Sequence, residues 1–244
     1  MTIRRLPGGL VNRIAAGEVV ERPAAVVKEL VENALDAGAA RIDVSLGEGG
    51  RTRIAVADDG HGMSQDELTL AIERHATSKL PDDDLVHIRS LGFRGEALPS
   101  IGAVARLGLT SRAAGASEAW RIRVEGGQVS GPVPAARAQG TTAEALDLFF
   151  ATPARLKFLR SPRSEAQACL DVLRRLALAR ADVAFSLEDD GRKSLALAAA
   201  PGDLVDARLE RAGQVIGRDF ARQALPIRAE REGATLSGHA SAPG

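Results

Sequence analysis

The stretch Pro23-Ala24-Ala25-Val26-Val27-Lys28-Glu29-Leu30-Val31-Glu32-Asn33-Ala34-Leu35-Asp36-Ala37-Gly38 decides the reading of the fold. Val26, Val27, Leu30, Val31, Ala34 and Leu35 recur at the spacing of a helix with one buried stripe. Glu21 and Pro23 near the start and Gly38 after the last apolar position predict one helix over 17–38. On a wheel turning about 100° per residue, Glu29, Asn33 and Asp36 fall within about 60° of one another. Such a polar stripe is ordinarily a solvated face. Its chemical alternative is a carboxylate placed as general base, with an amide oxygen beside it for a hard cation.

Outward from this helix, strands are expected at 41–46 and 53–57, joined by the turn-rich Gly47–Gly50. The glycine-punctuated Asp58-Asp59-Gly60-His61-Gly62 follows, then a helix opened by a capping box of Ser64 and Glu67. Residues 75–100 form a long polar loop, a length more often functional than incidental. Strands at 106–111, 119–125, 128–133 and 141–149 precede an amphipathic helix over 164–180 with Ala168, Val172, Leu176 and Ala179 on its apolar side. A hairpin is expected at 183–188 and 193–198. Pro201-Gly202 marks a boundary, followed by a short helix (203–212) and strands at 222–229 and 234–240. The elements mix without βα alternation, which predicts an α+β two-layer sandwich, a mixed β-sheet with helices on one face. Residues 1–200 are read as one domain and 201–244 as the start of a second α+β domain.

Composition narrows the function classes. Of 244 residues, 45% are hydrophobic and 26% charged, the mix of a folded globular chain. The 32 basic and 32 acidic residues cancel, so global charge gives no reason to expect nucleic-acid affinity, though a local patch would. Cys169 is the only cysteine, which excludes an intrachain disulfide and a cysteine-rich zinc site. No apolar run approaches the roughly 20 residues of a membrane span, and no signal-peptide core is present, so a cytoplasmic protein without a membrane partner is expected.

Three further segments carry chemistry. Asp58-x-Gly60-x-Gly62 after a strand lets a ligand approach the backbone, with a carboxylate to accept an amino proton. Gly92-Phe93-Arg94-Gly95-Glu96-Ala97-Leu98 places glycines before a helix start, where unpaired N–H groups cradle phosphate. Gly140-Thr141-Thr142 puts a hydroxyl at a strand start, a feature that is usually structural. No Walker A pattern occurs in the chain.

The order of these segments resembles the four nucleotide-binding motifs of the GHKL ATPases, whose fold is the Bergerat sandwich. Ile14–Pro23, Glu29–Gly38, His75–Lys79, Leu91–Leu98 and Asp147–Leu159 resemble the MutL branch, the mismatch-repair proteins, over essentially the whole chain. The resemblance implies that Glu29 orients the attacking water and that Asn33 is the magnesium ligand. It implies that Asp58 accepts from the adenine amino group, that Gly60 and Gly62 line the base pocket, and that Thr77 and Thr141 supply hydroxyls near it. Gly92, Arg94, Gly95, Glu96, Ala97 and Leu98 are implied to close over the phosphates as a lid. ATP and Mg²⁺ are the implied cofactors. The implied partners are a second copy when ATP is bound, a MutS-type mismatch-recognition protein, and DNA without sequence preference. Phe150-Ala151-Thr152-Pro153 departs from the family's aromatic-Asn-Thr-Pro, outside the nucleotide motifs.

No lysine follows Lys193. The resemblance implies that a later lysine, in a second domain, reaches the terminal phosphate, so ATP binding with little hydrolysis and a mostly monomeric chain are expected. The rivals are a protein kinase, which would need a preceding helix with an acceptor histidine, a non-hydrolysing interaction module, which would lack Glu29 or Asn33, and another GHKL ATPase. Arg155, Lys157, Arg160, Arg163, Arg174, Arg175 and Arg180 form a basic run that is either a solvated face or a DNA phosphate contact.

Overall fold

The computed structural model describes residues 8–74, 76, 95–200 and 204–241, without the side chains of 8–13 and 204. In chain order its helices are α1 (Gly8–Val19), α2 (Pro23–Asp36), α3 (Gln65–Ala71), α4 (Ala97–Val104), α5 (Pro162–Ala179), α6 (Leu204–Val215) and α7 (Arg218–Gln223). Its strands are β1 (Arg41–Gly47), β2 (Arg53–Asp58), β3 (Arg106–Arg112), β4 (Ala119–Glu125), β5 (Gln128–Ala135), β6 (Gly140–Leu146), β7 (Ala184–Asp189), β8 (Arg192–Leu197), β9 (Ala224–Arg231) and β10 (Ala234–Ser241).

Eight strands form one mixed sheet in the order β5-β4-β3-β6-β2-β1-β7-β8, with β1 and β7 parallel and the other pairs antiparallel. Side chains alternate across a strand, so one face collects Ile42, Val44, Leu46, Ile54, Val56, Leu107, Leu109, Ile122, Val124, Phe185 and Leu187, all buried. The other face carries Ser45, Arg53 and Glu144, joined by Arg53 hydrogen bonds of 2.8 Å to Glu144 and 2.7 Å to Ser45. Helices cover the apolar face: α2 packs on α5 and β2, and α1 on α4. This is the expected α+β sandwich.

The predicted helix 17–38 is broken before Pro23: α2 takes 23–36, and 17–19 are the end of α1, whose residues 8–16 carry no predicted element. A residue before proline is pushed out of the helical region, and Arg22 is fully extended, so Pro23 opens α2 at its first position. At the other end Gly38 takes φ +70, and the N–H groups of Gly38 and Ala39 bond back to Leu35 and Ala34, a Schellman closure. The predicted strand 141–149 stops at Leu146, because Asp147 and Phe149 adopt positive φ and their N–H groups turn to Thr52 and Val104. The helix at 162–179 packs the expected Ala168, Val172 and Leu176 half-buried against the core, buries Cys169, Leu170, Leu173 and Ala177 fully, and leaves only Ala179 of the expected face exposed. Glu165 is buried on the same helix, paired with Arg22 at 2.9 Å and accepting the Arg160 N–H at 2.8 Å. The Ser64–Glu67 capping box is present as expected. β9 and β10 form a separate two-stranded sheet, and α7 is a helix that the sequence reading does not predict.

Candidate functional site

The rows of inward side chains crossing the sheet are not chemically alike. Val124, Leu107, Ala145, Ile54 and Leu46 form one apolar row, and Ile122, Leu109, Ala143, Val56 and Val44 the next. Two residues further along, the row reads Trp120, Ser111, Thr141, Asp58 and Ile42 and is polar at its centre. Asp58 is the last residue of β2 and shares the parity of Ile54 and Val56, so the pleat aims its carboxylate under the helical layer.

Asp58 is 9% exposed, and its Oδ1 accepts from the N–H of Gly60 at 2.9 Å and of Thr141 at 3.2 Å. Both bonds fall on Oδ1, so Oδ2 is the oxygen the turn itself does not engage. Burial pushes the Asp58 carboxyl above the usual carboxylate range, against those two bonds and the charge of Arg137. The neighbouring Asp59 acts on the backbone instead, its Oδ1 taking the N–H groups of Ala40 and Arg41 at 2.8 Å each and pinning the turn to β1.

The glycines serve the protein's own close packing. A Cβ at Gly60 would press on the Ala37 backbone at the end of α2, and one at Gly62, where φ is +68, would run into the Arg112 carbonyl. The Asp58–Gly62 turn is thus wedged between α2 and the end of β3. Neither position can therefore carry a side chain without the turn moving away from α2 or β3.

Three residues at this site carry no expectation from the sequence. Ser111, with no exposed surface, takes the Met63 N–H at 2.8 Å and donates to the Gly140 carbonyl at 3.0 Å. Arg137 donates to the carbonyl oxygens of Asp58 and Thr141 and to the Thr142 hydroxyl. Burial lowers the Arg137 guanidinium, with Asp58 opposing. Gln139 donates to Gly60 O at 3.2 Å. A polar loop and a strand-end serine carry no sequence signal of their own; only the register reveals them.

The polar stripe of α2 begins beside this turn. Asp36, Asn33 and Glu29 are half-buried and lead back along the helix over roughly 10 Å, at about 1.5 Å per residue. Lys28 Nζ sits 3.3 Å from Glu29 and 2.9 Å from buried Glu32. Partial burial opposes the Lys28 charge, yet its bond to Glu32 and the two carboxylates hold its pKa above the ordinary value. Gly95, at φ +62 against the Ala76 backbone, leads through Glu96 into α4, where half-buried Ala97 and Leu98 form the first turn. The α4 helix touches α2, α1 and β3. Thr77, Gly92 and Arg94 lie outside the described residues.

A family model described as histidine kinase-, DNA gyrase B- and HSP90-like ATPase matches residues 21–141, a span that contains Glu29, Asn33, Asp58 and Thr141. Among curated proteins, the DNA mismatch repair protein MutL of Rhodospirillum rubrum is 62% identical over 243 residues, covering 100% of this chain and 39% of the relative. The MutL of Paramagnetospirillum magneticum is 64% identical over 243 residues, covering 100% and 40%. The chain thus spans about two fifths of these relatives' length. Among solved structures, the Aquifex aeolicus MutL ATPase domain complexed with ADP aligns with TM-score 0.72 and 31% identity, covering 93% of this chain and 79% of that one. The N-terminal domain of a DNA repair protein aligns with TM-score 0.75 at 24% identity, a likeness of fold. By sequence over its whole length and by fold, the chain belongs to the MutL family of DNA mismatch-repair proteins, corresponding to its N-terminal GHKL-type ATPase region.

Proposed function

We propose that this chain binds ATP, with the adenine at the Asp58–Thr141 end and the triphosphate along the α2 stripe toward Glu29. The observation that carries this is Asp58: a carboxylate taken out of water at the polar end of an apolar face, its Oδ1 already fixed by backbone. Such a group suits a neutral partner that donates hydrogen bonds, as an adenine amino group does. A MutL ATPase domain of similar fold holds ADP, which supports the same assignment.

Asp58→Asn tests it. The amide oxygen replaces Oδ1 for Gly60 and Thr141, while the NH₂ now faces the adenine donor. The fold is expected to persist and ATP and ADP affinity to fall about 5- to 150-fold, the equivalent of ~1–3 kcal/mol. Parental affinity in this variant would remove Asp58 from the site. The raised pKa fixes the sign of two effects. The fold favours the protonated carboxyl, so ionisation costs stability as pH rises through the folded value. Asp58→Asn should therefore not destabilise the free chain at neutral pH. Nucleotide affinity should weaken on acidification before ordinary carboxylates titrate, because the protonated form stops accepting. An affinity flat down to that ordinary range would contradict this.

Glu29 is proposed to orient water, and Asn33 to hold Mg²⁺. Among the described residues no group of three or more acidic, histidine or cysteine side chains forms a protein cage for a metal. One amide oxygen fits an ion that takes one or two protein oxygens with phosphates and waters. Mg²⁺ would neutralise phosphate charge there. The N–H groups opening α4 are proposed to meet phosphate and to close as a lid. ATP-dependent pairing with a second copy and coupling to a MutS-type protein follow from family membership and belong to the same proposal.

DNA contact is proposed for a reduced set of the basic run. Arg155 stacks 4.4 Å over Phe149 and Arg180 pairs with Asp182 at 2.8 Å, so both are engaged within the fold. Lys157, Arg160, Arg163 and Arg175 are exposed. Reversing Arg160 and Arg163 to Glu should weaken DNA binding, lower its salt slope by about 1–2, and leave ATP affinity unchanged. An unchanged slope would return the run to a solvated face.

A further inference from the structure

Ser111 sits on the inner face of β3, directly across the register from Thr141 of β6, with no exposed surface. A serine hydroxyl has one proton to give and can accept two. The Met63 N–H occupies it as a donor at 2.8 Å. The Gly140 carbonyl, 3.0 Å away, can only accept, so any hydrogen bond there uses the Ser111 proton. The Thr141 hydroxyl lies 2.9 Å from Ser111 Oγ. If both contacts are hydrogen bonds at once, the one serine proton serves Gly140 and the proton between the hydroxyls is Thr141's. The threonine's only hydroxyl proton is then consumed inside the sheet, and what Thr141 offers outward is lone pairs. Its neighbour Asp58, when ionised, also only accepts.

We propose that Ser111 is a positioning residue that sets the base specificity of this site: by holding the Thr141 proton, it makes Thr141 an acceptor beside Asp58, so that a 6-amino purine is taken and a 6-oxo purine refused. The proposal rests on the nucleotide reading above. Two adjacent acceptors suit an exocyclic amine, which carries two protons. A keto oxygen at the same position meets lone pairs on both, and discrimination against a mismatched polar group is stronger than against a missing methyl. Without Ser111 the Thr141 hydroxyl is free to turn and donate, which removes half of the refusal.

The test is competitive binding of ATP and inosine triphosphate to the whole chain. The parent should prefer ATP. Ser111→Ala should lower the ATP-to-ITP preference about 5-fold or more. Thr141→Val, close in shape but without the hydroxyl, should lower it as well, and Ser111→Ala should add nothing to the preference in the Thr141→Val background. Equal weakening of both nucleotides in Ser111→Ala would show a merely structural serine and overturn the proposal. A Ser111 effect that persists undiminished without the Thr141 hydroxyl would also overturn it. Should Ser111→Ala fail to fold, Thr141→Val decides alone, since an unchanged preference there leaves nothing for Ser111 to act through. A parent that binds neither nucleotide overturns the nucleotide reading and this proposal together. A parent whose ATP binding depends on Asp58 but whose preference ignores Ser111 overturns this proposal only.

Discussion

Glu29→Ala is expected to cut ATP hydrolysis about 10²–10⁴-fold while ATP affinity moves only a few-fold, because a general base acts mainly in the transition state. The site gives the reason for the split. Glu29 is half-buried on the α2 stripe, more than two helical turns from Ala37 and the Asp58 turn, so removing it leaves the base-binding end intact. In the free chain its carboxylate leans on Lys28 at 3.3 Å, and Lys28 keeps Glu32 at 2.9 Å when Glu29 is gone. The assay is steady-state hydrolysis beside calorimetric affinity, in a chain extended to the length of the curated relatives. Undiminished hydrolysis would take Glu29 out of the chemistry. Equal loss of affinity and turnover would make it a binding residue.

Gly140→Ala is expected to destabilise the fold by about 3 kcal/mol or more, through two named causes. Gly140 has φ +108, a conformation that side chains rarely adopt, and its Cβ would run into the carbonyl oxygen of Asp58. That carbonyl is backbone, held by Arg137, and cannot swing away as a flexible side chain would. Gly191 is the internal comparison: φ is +74, but nothing lies within 4 Å of a Cβ there, so Gly191→Ala should cost only about 1 kcal/mol of strain. Urea denaturation of the two variants reads the difference. Equal costs would mean that Gly140 is needed for its dihedral alone and not for the approach of β6 to β2.

The central sheet and its helical layer are legible in the sequence because they rest on period and punctuation. Ile42, Val44, Leu46, Ile54 and Val56 alternate, and Ser64–Glu67 caps as written. What misleads is local. Periodicity alone carries the helix through Pro23, whereas the constraint on the residue before proline makes Pro23 the start of a new one. The face of α5 is read only in part: Ala168, Val172 and Leu176 do pack on the core, but α2 as well as β7 covers the helix, so Leu170, Leu173 and Ala177 are buried beyond them. The site is legible only in part. Asp58 and Thr141 stand out by motif, and the sheet brings them together. Ser111, Arg137 and Gln139 are invisible, since their importance comes from strand register and loop return rather than from spacing along the chain.

The most direct test of the account is calorimetric titration of this chain with ATP and with ADP, each with and without Mg²⁺. Saturable one-to-one binding of both nucleotides is expected, because both carry the adenine that Asp58 reads. Mg²⁺ should strengthen ATP more than ADP, through Asn33 and the longer phosphate chain. Absence of binding by either nucleotide up to about 1 mM, weaker than roughly −4 kcal/mol, would contradict the assignment of the Asp58–Thr141 end as a nucleotide site.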